Sequence, residues 1–227
     1  MCSSDLGDIA FHGQFNRNGY PFSLMINAEG NRFVDEGSDL RNYTYAKFGR
    51  AVLAQTGSYA WHVFDSQVTP ILHDEYKNKG ATRVQADTLE ELVKRMEDVD
   101  PARFLKTVRE FNAAVRRDVP FNPTVKDGRC TEGLELNKSN WANAIEKPPY
   151  FAYAVTCGIT FTFGGLKINT AAHVLDIADK PIRGLFAAGE LVGGLFYFNY
   201  PGSSGLMAGA VSGKIAGSEA ARFALAS

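Results

Sequence analysis

Towards its C-terminal end the chain places glycine at every fourth position: Gly205, Gly209, Gly213 and Gly217. The surrounding residues, Ser203 to about Ala224, otherwise read as a helix, and a spacing of four keeps these glycines on one ridge of it. Glycine costs about 1 kcal/mol relative to alanine inside a helix, so four of them on one ridge need a compensating reason. The physical one is close approach of a neighbouring backbone or of a ligand to a surface without side chains. Membrane helix pairing uses similar spacings, but only within an apolar stretch of about 20 residues. Lys214 and Glu219 interrupt any such stretch here.

The glycine excess is local. Of 22 glycines in 227 residues, 12 lie between Gly158 and Gly217. Residues 1–150 look average, whereas 151–227 are rich in glycine, alanine and aromatics. The whole chain is 45% hydrophobic and 22% charged, an ordinary globular composition that excludes a disordered tail, a collagen-like fibre and a coiled coil. Basic and acidic residues nearly cancel (24 − 25 = −1), so no global charge favours nucleic acid or an anionic membrane surface. Cys2, Cys130 and Cys157 are odd in number and lack a C-x-x-C pair. That spacing predicts neither a disulfide framework nor a zinc site, and a cytoplasmic setting is the expectation. His12, His62, His73 and His173 lie too far apart for ligand spacing, so no metal is expected. Polar residues from Asp5 to Arg17 rule out a signal-peptide core, and Glu190 with its neighbouring glycines breaks the most apolar run, 184–200, so no membrane span is expected. Residues 1–8 show neither strand nor helix pattern, and 1–19 is read as a leader or truncation scar.

Along the chain, Phe22–Ile26 and Arg32–Asp35 read as strands around the turn Asn27–Gly30. Residues 38–50 are polar and aromatic. Tyr59–Phe64 is a strand candidate. One helix is capped by Asp87 or Thr88 with Glu90 or Glu91 at the third position, and carries Leu89, Leu92, Val93 and Met96 on its apolar face. A second begins at Asp100-Pro101 and lines up Phe104, Leu105, Val108, Phe111 and Val115. The charges from Arg83 to Asp100 make a solvated face. Between Pro120 and Pro149 the pattern fails, and Pro148-Pro149 marks a boundary. Beyond it, Tyr150–Val155 and Thr160–Phe163 are strand-like, Leu166–Ile168 and His173–Leu175 suggest a hairpin, and Leu185–Ala188 is a short apolar strand.

The densest motif is Gly184-Leu-Phe-Ala-Ala-Gly-Glu190, then Asn199-Tyr-Pro-Gly-Ser-Ser-Gly-Leu206 and the small-residue helix. A strand ends in a glycine turn with a lone carboxylate at its C-terminal edge, where ligands bind in open α/β sheets. A carboxylate there suits a ribose or ribityl hydroxyl, and the helix start offers N–H groups and a positive dipole end. A plain strand–turn–helix with Glu190 in solvent satisfies the same pattern.

This stretch resembles the C-terminal flavin-binding signature of the succinate dehydrogenase/fumarate reductase flavoprotein superfamily. The segments 33–50, 158–169 and 196–202 are most similar to FAD-dependent tricarballylate dehydrogenases, and the likeness runs from about Tyr20 to Gly217. The resemblance implies hydride transfer between a substrate carbon and flavin N5. It also implies a fold: an α+β capping domain (20–150), followed by the C-terminal strand–helix return segment of an α/β FAD-binding domain (151–227). Carried over, Glu190 holds the FAD ribityl or ribose hydroxyls, backbone groups of Gly205 and Leu206 meet the flavin ring at the helix start, and Gly189 and Ser204 are further cofactor-binding residues. Arg41 falls near the family's proton-transferring arginine. A guanidinium normally stays charged, and a bidentate clamp on a substrate carboxylate is its alternative role. Tyr200, Tyr43 and Thr162 complete the catalytic candidates, with aromatic packing the alternative for Tyr43, Tyr45 and Tyr200.

Two departures from fumarate reductases stand out. Thr160, Phe161 and Thr162 occupy the stretch where those enzymes carry a substrate histidine, and Tyr200 stands where they carry an arginine. The Tyr200-Pro-Gly turn is instead similar to that of 3-ketosteroid dehydrogenases. No Gly-x-Gly-x-x-Gly turn occurs, so the chain reads as a fragment lacking the N-terminal dinucleotide-binding half, with a di- or tricarboxylate as substrate. A non-catalytic capping module that complements a separate nucleotide-binding chain is the alternative from another class. Without the missing strands, Leu185–Ala188 and the glycine ridge are expected to lie exposed.

Overall fold

The computed structural model describes residues 2–78, 80–197 and 199–226. It divides into two compact units, Ser3–Gly158 and a smaller one comprising Met1–Cys2 with Ile159–Ser227. The division falls after Gly158, inside a strand, rather than at the Pro148-Pro149 boundary.

The larger unit is built on an antiparallel sheet with helices packed against it. In chain order its elements are β1 (Cys2–Asp8), β2 (His12–Asn16), β3 (Leu24–Ile26), α1 (Tyr45–Leu53), β4 (Tyr59–Phe64), β5 (Arg83–Ala86), α2 (Leu89–Arg95), α3 (Pro101–Ala114) and β6 (Tyr150–Phe161). The strand order is β2-β1-β6-β4-β3, with β5 also paired to β6. The long β6 is the spine: Phe151 to Thr156 pair with β4, while Tyr150 to Tyr153 pair with β5.

Of residues 1–8, read from the sequence as patternless, Cys2–Asp8 form β1 instead. Leu6 is fully buried, and Asp8 is held by Arg17 at 2.9 Å and by the Thr82 N–H and hydroxyl at 2.7 Å each. The cause is tertiary: those partners lie 9 and 74 residues away.

Alternation along β4 covers both faces of the sheet. Trp61 and Val63 join Ala152, Ala154, Leu92, Val93, Phe104, Val108 and Phe111 in one core beneath α2 and α3. Phe64, Phe151 and Tyr153 point the other way and pack with Val68, Leu72 and Tyr76. The Thr88 hydroxyl accepts from Glu91 N–H and the Asp100 carboxylate from Arg103 N–H, so α2 and α3 start where the capping pattern predicts. The connection from Val115 to Pro149 carries no helix or strand. It is fixed by side chains: Asn112 exchanges two 2.8 Å hydrogen bonds with the Ile145 backbone, and Asp65 accepts from the Glu146 and Lys147 N–H groups. The Phe22–Ile26 and Arg32–Asp35 strands are reduced to β3 and a single Ile26–Arg32 bridge. Residues 38–50, unassigned in the sequence reading, hold a 3-10 turn (Arg41–Tyr43) and the start of α1.

The smaller unit contains a hairpin, β7 (His173–Leu175) with β8 (Pro181–Phe186), and the 23-residue helix α4 (Ser204–Ala226). Leu166 and Ile168 make only isolated bridges. Gly165 is obligatory: a Cβ there would lie 2.2 Å from the Leu191 carbonyl oxygen. On α4, a Cβ at Gly209 would come within 3.8 Å of Gly189 Cα, while Gly213 and Gly217 meet nothing within 4 Å. Of these three ridge glycines, Gly209 alone has a neighbour at contact distance. Leu185 is 44% exposed, but Ala187 is buried beneath the 172–187 backbone pairing, so only part of the apolar strand lies open.

Candidate functional site

The smaller unit assembles most of the flavin candidates from the end of β8. Ala187 and Ala188 lead into a 3-10 turn, Gly189–Leu191, that Gly189 enters at φ 77°. Glycine adopts that conformation without strain. The turn rests on α4, because Gly189 N–H donates to Ser212 Oγ at 3.1 Å. It presents Glu190 to solvent, with Oε1 anchored by Thr162 N–H at 2.8 Å. Thr162 Oγ1 also approaches the Glu190 carbonyl at 3.4 Å. Thr162, a catalytic candidate in the sequence, is thus placed as the residue that orients Glu190.

Tyr200 belongs to the opening of α4. It is 9% exposed, and its hydroxyl oxygen accepts from Gly205 N–H at 3.1 Å, covering one of the donors that a helix start leaves without an intrahelical partner. Its ring meets Phe196 edge to face at 5.0 Å. Ser204 Oγ donates to the Pro201 carbonyl, and Leu206 is 77% exposed. Phe198 of the same aromatic run lies outside the described residues, as does the His12 side chain.

Arg41 and Tyr43 sit in the larger unit, both exposed, on the 3-10 turn before α1. That turn is tied down by buried Tyr20, whose hydroxyl contacts the Arg41 carbonyl at 3.1 Å and Thr44 Oγ1 at 2.6 Å. Tyr45 is buried and belongs to the core rather than to a site.

Buried charge beside this turn was not singled out in the sequence. Glu36 and Arg32 pair at 2.6 Å, and Lys138 Nζ donates to the Ser23 carbonyl at 2.8 Å. Burial works to raise the Glu36 carboxyl, but Arg32 and Lys138, with the hydrogen bonds from Arg32 and Met25 N–H, hold it below the usual carboxylate range. Burial also brings the Lys138 ammonium down to about 8. The i, i+4 spacing of Arg32 and Glu36 was the one visible signal; Lys138 lies more than 100 residues away in sequence. Among the described residues no group of three or more His, Cys, Asp or Glu could hold a metal ion. Nor is any helix long and apolar enough to cross a membrane.

An outward carboxylate at a strand end, fixed at one oxygen and set on a glycine turn against a long helix, suits the hydroxyls of a dinucleotide cofactor. The residues present fit FAD. The family comparison agrees: the profile of the FAD binding domain family matches residues 11–206, and the chain belongs to that family. A probable fumarate reductase of Shewanella frigidimarina is 36% identical over 213 residues, which cover 89% of this chain and 32% of that protein. The open conformation of a flavocytochrome c3 fumarate reductase superposes with a TM-score of 0.67 at 31% identity, over 98% of this chain and 36% of that one. The 3-ketosteroid Δ1-dehydrogenase of Sterolibacterium denitrificans gives 0.69 at 25% identity, over 100% and 43%. The chain spans about a third of the length of the curated relatives it matches. The family is enzymatic, and its cofactor is FAD.

Proposed function

We propose that these residues are the substrate-capping and returning segments of an FAD-dependent oxidoreductase that acts on a carbon–carbon bond beside a carboxylate, tricarballylate included. When bound, FAD supplies a two-electron hydride acceptor or donor; the chain binds and orients. Glu190 holds the sugar hydroxyls through the carboxylate that Thr162 fixes, and this is the observation that carries the reading. Ser204, Gly205 and Leu206 line the helix start toward the ring. Arg41 grips a substrate carboxylate as a two-pronged donor, with exposed Tyr43 beside it on the same turn.

The dinucleotide-binding half is assigned to polypeptide outside these 227 residues. Supporting this, Met207, Val211 and Ile215 on α4 are exposed opposite the glycine ridge, and a helix apolar on both sides is normally covered on both. A 3-ketosteroid substrate is the second reading, favoured by the Tyr200-Pro201-Gly202 turn.

The test is the full-length parent, assayed with tricarballylate, succinate and a 3-ketosteroid against an artificial acceptor. We expect flavin absorbance in the purified parent, carboxylate-dependent turnover, and loss of that turnover in Arg41→Ala with flavin retained. Turnover unchanged in Arg41→Ala removes that residue from the site. Turnover with the steroid alone transfers the assignment to the second reading.

A further inference from the structure

Thr44 occupies the N-cap position of α1, yet its side chain makes no capping hydrogen bond. A threonine there ordinarily accepts from a backbone N–H of the first helical turn. Its hydroxyl instead lies 2.6 Å from the hydroxyl of Tyr20, and both residues are fully buried. The same phenol donates to the Arg41 carbonyl at 3.1 Å. A phenol has one proton. With that proton on the carbonyl, the Thr44 hydroxyl donates to the phenol oxygen. Tyr20 thus grips Arg41, the first residue of the 3-10 turn, and Thr44, the residue just beyond its last.

The phenol is itself held in place. Gly19 N–H donates to the buried Tyr76 hydroxyl at 2.8 Å. The Tyr20 carbonyl accepts from Ser23 N–H at 2.9 Å and from the Ser23 hydroxyl at 3.0 Å. Its ring packs edge to face on Phe48 of α1 at 5.1 Å and on His62 of β4 at 6.2 Å. The Arg41 backbone is therefore fixed by a buried side chain 21 residues away, although Arg41 itself is exposed.

An exposed arginine samples many rotamers, and a mobile backbone beneath it multiplies them. Fixing the backbone leaves only side-chain rotation to bring the guanidinium onto a ligand. Precision matters there, because a displacement of about 1 Å at a reacting centre can cost about 10²-fold in rate. We propose that Tyr20 is a positioning residue, whose hydroxyl sets the turn from Arg41 to Thr44 so that Arg41 meets the substrate carboxylate. What Arg41 does rests on the functional reading above.

The test uses the full-length parent with two substitutions. Tyr20→Phe removes the phenol hydroxyl and keeps the ring, and Thr44→Val removes the other hydroxyl. Hydrogen exchange of the peptide spanning 40–48 reads the turn without any turnover. It should speed up at least about tenfold in both variants, with the β4 amides unchanged. Flavin reduction by whichever of tricarballylate and succinate the wild-type parent oxidises should slow at least about tenfold. Reduction by dithionite, which needs no arginine, should keep its wild-type rate. A tyrosine with a purely structural role would slow both or neither.

Wild-type exchange in Tyr20→Phe overturns the proposal. So does faster exchange with an unchanged rate of reduction by substrate, or an equal slowing with dithionite. The functional reading fails separately, through a wild-type parent that oxidises neither acid or through wild-type turnover in Arg41→Ala. Loss of turnover in Arg41→Ala beside wild-type turnover in Tyr20→Phe sinks only the positioning role.

Discussion

His62 sits in the middle of β4 with both ring nitrogens buried and without a hydrogen-bond partner. Its ring is flanked by those of Tyr20 at 6.2 Å and Phe64 at 6.3 Å. Burial, with a smaller push from Arg17, depresses its pKa to about 3. An unfolded histidine titrates near 6.5. Below that pH the unfolded chain therefore takes up a proton that the folded chain refuses. Stability from this group is complete above about 6.5 and falls as pH drops toward 3, by up to about 1.4 kcal/mol per pH unit. We expect chemical-denaturation midpoints to decline with acid through that window, and His62→Phe to flatten the slope. An unchanged slope in that variant would place the acid sensitivity elsewhere. The strand period puts Phe64 on the same face as His62, but nothing in the sequence announced Tyr20, which becomes a neighbour only once β4 is in the sheet. Glu190 differs: the turn that presents it is local, so its position was legible from the motif alone.

At the scale of elements, local signals were legible and tertiary ones were not. Helices α2 and α3 begin on their own capping side chains, Thr88 and Asp100, and keep a helical apolar period. Helix α1 also keeps a helical spacing of buried residues, Tyr45, Ala46, Phe48, Gly49 and Val52, but has no side-chain cap to mark its start. Its helicity comes from packing. Asp100→Ala should cost about 1 kcal/mol, the usual worth of a capping side chain. Gly165→Ala is a harsher case, because the added methyl meets backbone rather than a side chain that can turn away. We expect a loss of about 2 kcal/mol or more in the smaller unit, read as a lowered urea midpoint. A wild-type midpoint for Gly165→Ala would mean that the backbone segments at 165 and 191–193 are not in contact.

For the whole molecule, the prominent fact is where apolar surface remains. Leu206, Met207, Val211, Ile215 and Leu225 on α4 are exposed, as are Ile182 and Leu185 on β8. The glycine ridge alone could be read from the sequence, and it marked the right helix. It could not show that the opposite face is apolar and open too. Patches of this kind drive association, and sulfate strengthens it. Light scattering of the purified chain should therefore rise with protein concentration and with added sulfate, whereas replacing Met207 and Val211 by serine should suppress it. Scattering independent of both additions would mean that α4 is covered. Inside a cell the same surface has a different reader. Chaperones and proteases sort chains by exposed apolar segments, so α4 sets a lifetime as well as a docking need. The 227 residues on their own should be cleared quickly, and whatever covers that helix should also protect the chain from degradation.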